Sequence, residues 1–197
     1  MKINIKRFSK VNPLANKVNQ YEVNEENLLK ALFEIKTNID STLTFRCGCK
    51  SGVCGSCAVR INGIERLACK TKIKNDDLIE PIRNSSIIRD LVVDVSHETF
   101  LIKKTSSFIE ENQDTKISQK DINIIDLQSN CILCNSCYSS CPVYDVNKDF
   151  LGPFALTRAL RYVNDKKNAS RANIVNNIQA NGIWDCTLCS ACTLVCP

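Results

Sequence analysis

Twelve cysteines fall into three groups whose spacing can do chemistry. The run C-x2-C-x2-C-x3-C-P occurs twice: Cys131, Cys134, Cys137 and Cys141 before Pro142, then Cys186, Cys189, Cys192 and Cys196 before Pro197. A third group, Cys49, Cys54, Cys57 and Cys69, reads C-x4-C-x2-C-x11-C. A chain with 13 cysteines in 197 residues is either a disulfide scaffold or a metal protein. Disulfide scaffolds are short and secreted, and the opening "MKINIKRFSKVNPLANKV" has no apolar stretch of the kind that marks a signal peptide. Metal ligation in a reducing compartment is the better reading.

The Cys49 group has the plant-type spacing for a [2Fe–2S] cluster. Three thiolates from one loop force that loop to wrap tightly, and Gly48, Gly52 and Gly55 are three of the six glycines in the chain. The fourth thiolate, Cys69, returns from a strand–turn–strand, "AVRINGIERLA", with Asn62–Gly63 as its turn. Zinc is the alternative, but zinc sites usually show two separated CxxC pairs or histidine partners. Cys47 would stand x6 from Cys54, which does not fit, so it reads as a spare buried thiol. The two C-P runs match the bacterial ferredoxin pattern, in which three cysteines serve one cluster and the fourth serves the other. Cys131, Cys134, Cys137 and Cys196 then hold one [4Fe–4S] cluster, and Cys186, Cys189 and Cys192 with Cys141 hold a second. Each proline is expected to end its ligand turn.

No Ser/His/Asp set, paired-acid site or phosphate loop is visible, and His97, the one histidine, has nothing near it in sequence to suggest ligation. The chain has no substrate chemistry of its own; it is expected to conduct electrons. The net charge of +5 includes no basic block, so nucleic acid is not implied. Oxidised clusters carry about two negative charges each, which brings the total near neutral. No apolar run approaches the roughly 20 residues that span a bilayer.

These groups need elements to hold them. "KINIKRF", "QYEVN", "CAVRING" and "DLIEPI" read as strands, and "EENLLKALFEIKTNI" as a helix. The span from Ile102 to Asn130 reads as a polar, helix-containing connector. Beyond it, "GPFALTRALRYVND" reads as a helix opened by Pro153, and "ASRANIVNNIQANGIW" as a second that ends at Gly182. The two C-P runs flank this helical pair as a pseudo-repeat, 55 positions apart from Cys131 to Cys186. The expected fold is α+β: an N-terminal β-grasp, plant-type [2Fe–2S] ferredoxin domain over residues 1–105, then an α-helical bacterial two-cluster ferredoxin domain over 106–197, read as truncated at its C-terminus.

Together "TFRCGCKSGVCGSCAVRINGIERLACKTKI", "DLVVD", "CILCNSCYSSCPVY", "FLGPFALTRALRYVND" and "NGIWDCTLCSACTLVCP" resemble, in order, the iron–sulfur subunit of the succinate dehydrogenase and fumarate reductase family. "NGIWDCT" is closer to the fumarate reductases. The resemblance implies an electron-transfer subunit of an oxidoreductase of the tricarboxylic acid cycle or anaerobic respiration. Its partners would be a flavoprotein with covalent FAD that interconverts succinate and fumarate, and a quinone-linked membrane anchor or other electron acceptor. The subunit would be peripheral on the cytoplasmic side of the inner membrane, held there by its partners. The Cys49 cluster would face the flavin, the Cys131 cluster would be the middle relay, and the Cys141/Cys186/Cys192 cluster would face the membrane.

Three departures qualify this resemblance. The family's membrane-side cluster is usually [3Fe–4S], with a non-cysteine where this chain has Cys189; four thiols favour [4Fe–4S] here. Quinone-linked members often carry a tryptophan and a histidine where this chain has Asp145–Val146 and Thr187. The family continues past the last Cys-Pro. A thiol-linked fumarate reductase and a stand-alone multi-cluster carrier are the alternatives.

Overall fold

The structure, a computed structural model, describes residues 1–197 except the Ala15 side chain. The chain packs as two compact units. The first comprises Met1–Val95, Cys134–Ser140 and Ala191–Pro197, and the second Ser96–Leu133 and Cys141–Ser190.

The first unit is built on a five-stranded mixed sheet in the order β2-β1-β5-β3-β4. The strands are β1 (Lys2–Lys6), β2 (Val18–Glu22), β3 (Ala58–Ile61), β4 (Ile64–Leu67) and β5 (Leu78–Glu80). β1 and β5 run parallel, with Ile5 opposite Ile79; the other pairs are antiparallel. The alternation in "KINIK" turns Ile3 and Ile5 into a core that also holds Leu28, Leu32, Ile35 and Ile79. Burying each such side chain contributes about 1.5–3 kcal/mol. The helix Leu28–Glu34 lays Leu28, Leu29, Ala31 and Leu32 inward. Its N-terminus is capped by Asn27, whose side chain accepts from the Lys30 amide at 3.2 Å, and it runs on into a wide turn over Ile35–Ile39. Arg7, just past β1, ties distant parts of this unit together: its guanidinium donates to Asp90 at 2.9 Å, to Tyr21 at 2.8 Å and to Asp40 at 2.5 Å. The β3–β4 turn has Asn62 at φ 49 and Gly63 at φ 85, as a two-residue type I′ hairpin requires. A small hairpin, β6 (Ile87–Arg89) and β7 (Val92–Val93), completes the strands.

The second unit is helical. The helix Gly152–Val163 buries Phe154, Ala155 and Ala159 and packs against the helices His97–Lys104, Gln119–Ser129 and Arg171–Asn177. Gln119–Ser129 lies within the expected connector and starts with a capping box between Ser118 and Asp121. The last expected helix is shorter than the sequence suggests: it stops at Asn177, and Gly182 lies five residues past its end. Gly182 is not a left-handed cap, since its φ is −127. It is there because of close approach: a Cβ would lie 1.9 Å from the Ile178 carbonyl oxygen. Among the described residues no helix is long and apolar enough to cross a membrane.

Candidate functional site

The loop before β3 gathers the first cysteine group. The Cys49 sulfur accepts backbone N–H bonds from Ser51 at 3.3 Å and Val53 at 3.4 Å, while the Cys49 amide donates to the Cys54 sulfur at 3.3 Å. The Ser51 side chain first, then the Ser51 and Val53 amides, pull the Cys49 thiol down to about 5. Cys57, at the entry to β3, is 5% exposed, and burial pushes its thiol up to about 11. Its sulfur interacts with Cys69 and is close enough to feel Cys54. Cys69 stands in the short turn Ala68–Lys70 after β4, fixed by Asn27, whose side-chain amide donates to the Cys69 carbonyl at 3.0 Å.

Cys49, Cys54, Cys57 and Cys69 are thus brought together by one wrapped loop and one hairpin. The wrap depends on glycine: Gly52 and Gly55 have φ of 89 and 70, and a Cβ on Gly48 would approach the Cys54 sulfur to 3.0 Å. Four soft thiols, with amide N–H groups aimed at two of the sulfurs, fit a [2Fe–2S] group, whose potential such hydrogen bonds tune. Among the described residues no three His, Cys, Asp or Glu side chains are disposed to hold a single metal ion. Cys47 is exposed, not buried as expected. The chain leaves the core after Leu43, and Arg46–Ser51 run along the surface.

The two C-P runs fold alike. Leu133 and Asn135 have φ of 54 and 60, and Leu188 and Ser190, 55 positions later, have φ of 54 and 61. Each pair brackets the middle cysteine of its run, Cys134 or Cys189. A short helix follows in each run, Ser136–Ser140 with Cys137 and Ala191–Leu194 with Cys192, and the two helices pack together. Cys131, Cys186, Cys189 and Cys196 are exposed, Cys134, Cys137 and Cys192 half-buried, and Cys141 buried. The Cys134 sulfur lies 3.4 Å from the Ser136 hydroxyl. Pro142 does not end a turn, as its place in the run suggests. It opens the helix Pro142–Val146, where a missing N–H is harmless, and the Cys141 sulfur accepts from the Tyr144 amide at 3.4 Å.

Sequence reading missed the residues that hold the Cys137 helix. The Ser139 hydroxyl donates to Glu65 on β4 at 2.5 Å and accepts from the Arg83 amide at 2.7 Å. Asn84 donates to the Tyr138 carbonyl at 2.8 Å, and the Tyr138 ring is fully buried. Glu65 is 2% exposed, with Arg60 at 3.1 Å. The signal was there in "IERL", where the acid falls on the inward face two positions before Leu67, and an inward carboxylate needs partners.

Comparison with known proteins agrees with this layout. The model of a 2Fe-2S iron-sulfur cluster binding domain matches residues 2–99, and that of a 4Fe-4S dicluster domain matches residues 128–197. The chain is 34% identical to the fumarate reductase iron-sulfur subunit of Haemophilus influenzae, over 88% of this chain and 76% of that one. It is 34% identical to the succinate dehydrogenase iron-sulfur subunit of Paracoccus denitrificans, over 86% of this chain and 70% of that one. A chain of the Mycobacterium smegmatis Sdh1 complex in its apo form superposes with a TM-score of 0.82 at 26% identity, covering 100% of this chain and 87% of its own. The fold is therefore the expected one, a [2Fe–2S] domain followed by a [4Fe–4S] domain. The chain belongs to the family of iron–sulfur subunits of fumarate reductase and succinate dehydrogenase, electron-transfer components of oxidoreductases.

Proposed function

We propose that this chain relays electrons between an FAD-containing flavoprotein that interconverts succinate and fumarate and a quinone-linked membrane anchor, lying peripherally on the cytoplasmic side of the membrane through those partners. The observation that carries the reading is the order of cysteine groups along a chain of this family: one plant-type group, then two C-P runs. Cys49, Cys54, Cys57 and Cys69 would hold the [2Fe–2S] cluster. Cys131, Cys134, Cys137 and Cys196 would hold one [4Fe–4S] cluster, and Cys141, Cys186, Cys189 and Cys192 the third. Such clusters supply one-electron steps at potentials set by ligands, charge and hydrogen bonds. What the polypeptide adds is placement. The Cys49 loop, with Val53 68% exposed at its tip, offers a surface at which a flavoprotein could dock close to the first thiols.

The third cluster is read as [4Fe–4S] because Cys189 supplies a fourth thiol, flanked by Leu188 and Ser190 at the same positive φ as Leu133 and Asn135 around Cys134. A second reading, a thiol-linked fumarate reductase, draws on the same Cys189 and on Thr187 and Asp145–Val146, which stand where quinone-linked members often differ. A purification from the native cells decides between them. The main reading expects an FAD flavoprotein and a membrane anchor to co-purify, with fumarate reduced by a quinol. Fumarate reduction by a dithiol, with no anchor, would favour the second reading, and a chain that comes away alone would overturn both.

A further inference from the structure

Beside Cys131 the second unit has an open pocket of about 240 Å³, lined among others by Gln128, Arg158, Arg161 and Tyr162. Tyr162 is flanked by both guanidiniums, Arg158 at 5.2 Å and Arg161 at 4.4 Å from its ring centre. Their charges are not equivalent. Arg161 is ion-paired with Asp165 at 2.5 Å, and Asp165 is 6% exposed. Arg158 donates to the neutral Tyr162 hydroxyl at 3.3 Å, its Nε is buried without a partner, and no carboxylate among the described residues pairs with it. One arginine is neutralised, and the other brings a whole positive charge to the wall that Cys131 shares.

Resting on the ligand reading above, we propose that Arg158 sets the reduction potential of the cluster held by Cys131, with the Arg161–Asp165 pair as a second, balanced element of the same field. A cluster that accepts one electron gains one negative charge. A fixed cation nearby stabilises the reduced form more than the oxidised form and raises the potential. Half-burial strengthens this by keeping solvent from screening the charge. Arg158 is a positioning charge: it ligates nothing and exchanges no electron.

The test is a redox titration, followed by electron paramagnetic resonance, on the full chain with its clusters intact and its subunits attached. A C131S variant first identifies which signal belongs to Cys131. R158Q should then lower the reduced-to-oxidised ratio of that signal about tenfold at fixed potential, which is about 59 mV for a one-electron couple, while the other two midpoints stay put. R158K, which keeps the charge, should stay near wild type and shows that any shift is not a folding defect. D165N removes the counter-charge of Arg161 and should move the same midpoint the opposite way, upward. Midpoints unmoved in both R158Q and D165N, or moved in the same direction, overturn the proposal. A C131S protein with all its signals intact instead overturns the ligand reading and the proposal with it.

Discussion

The Cys49 loop and the two C-P runs meet one demand, a chain wrapped closely round thiols, with different residues. The Cys49 loop turns mainly at Gly52 and Gly55, residues that adopt positive φ without strain, with Lys50 at φ 59 as its one non-glycine in that region. The C-P runs contain no glycine and turn at Leu133, Asn135, Leu188 and Ser190. A leucine held there is strained by about 1–3 kcal/mol, so the surroundings must over-determine it. The first loop is shaped mainly by what its glycines permit, and the other two by what their neighbours impose.

The largest expected effect is the loss of a cluster. Cys49→Ser should abolish the [2Fe–2S] resonance of dithionite-reduced protein and Cys47→Ser should leave it intact; the reverse result would move the ligand register of the first loop. Next comes a partial loss in the repeated loops. Wild-type protein prepared anaerobically should contain about ten irons, from one two-iron and two four-iron clusters. Cys189→Val should lower this to about nine, give the isotropic signal of an oxidised three-iron centre, and raise the potential of that cluster. An unchanged spectrum would show that the matched backbone at Cys189 serves no ligand.

Smaller effects probe the turns themselves. Gly52→Ala adds a Cβ at φ 89, with Lys70 Cε 2.6 Å away; the lysine can swing clear, so the backbone term dominates, about 1–2 kcal/mol of lost stability in denaturant titrations. Leu188→Gly should have the smallest effect. Relief of the strained φ and the greater freedom of the unfolded glycine oppose each other, so stability should change by less than about 1 kcal/mol. A large loss on Leu188→Gly would mean that the leucine side chain, and not only its backbone, shapes the third loop.

How far these regions were legible in the sequence tracks the same divide. The Asn62–Gly63 turn, the alternating strand at Lys2–Lys6 and the amphipathic helix at Gly152–Val163 carry local signals, and each was readable. So was the spacing of the cysteines. The left-handed leucines were not, because leucine has no local preference for that conformation. The β6–β7 hairpin is too short to alternate and turns at Asp90, φ 46, which Arg7 holds from far away in sequence. The exposure of Cys47 and the early end of the helix at Asn177 likewise depend on where the chain goes next.

The Ser139–Glu65 clasp bears on modularity. A five-residue helix such as Ser136–Ser140 has too few backbone bonds to persist by itself, and it is held by Glu65, Arg83 and Asn84, which precede it by more than 50 residues. A gene fragment coding for residues 128–197 alone would carry the whole match to a 4Fe-4S dicluster domain and still lack the anchorage of the Ser136–Ser140 helix. The two halves are therefore poor material for shuffling. A recombination between relatives that exchanged one half would need Glu65 and Ser139 to be inherited together, so the pair links what the cysteine spacing alone would allow to separate.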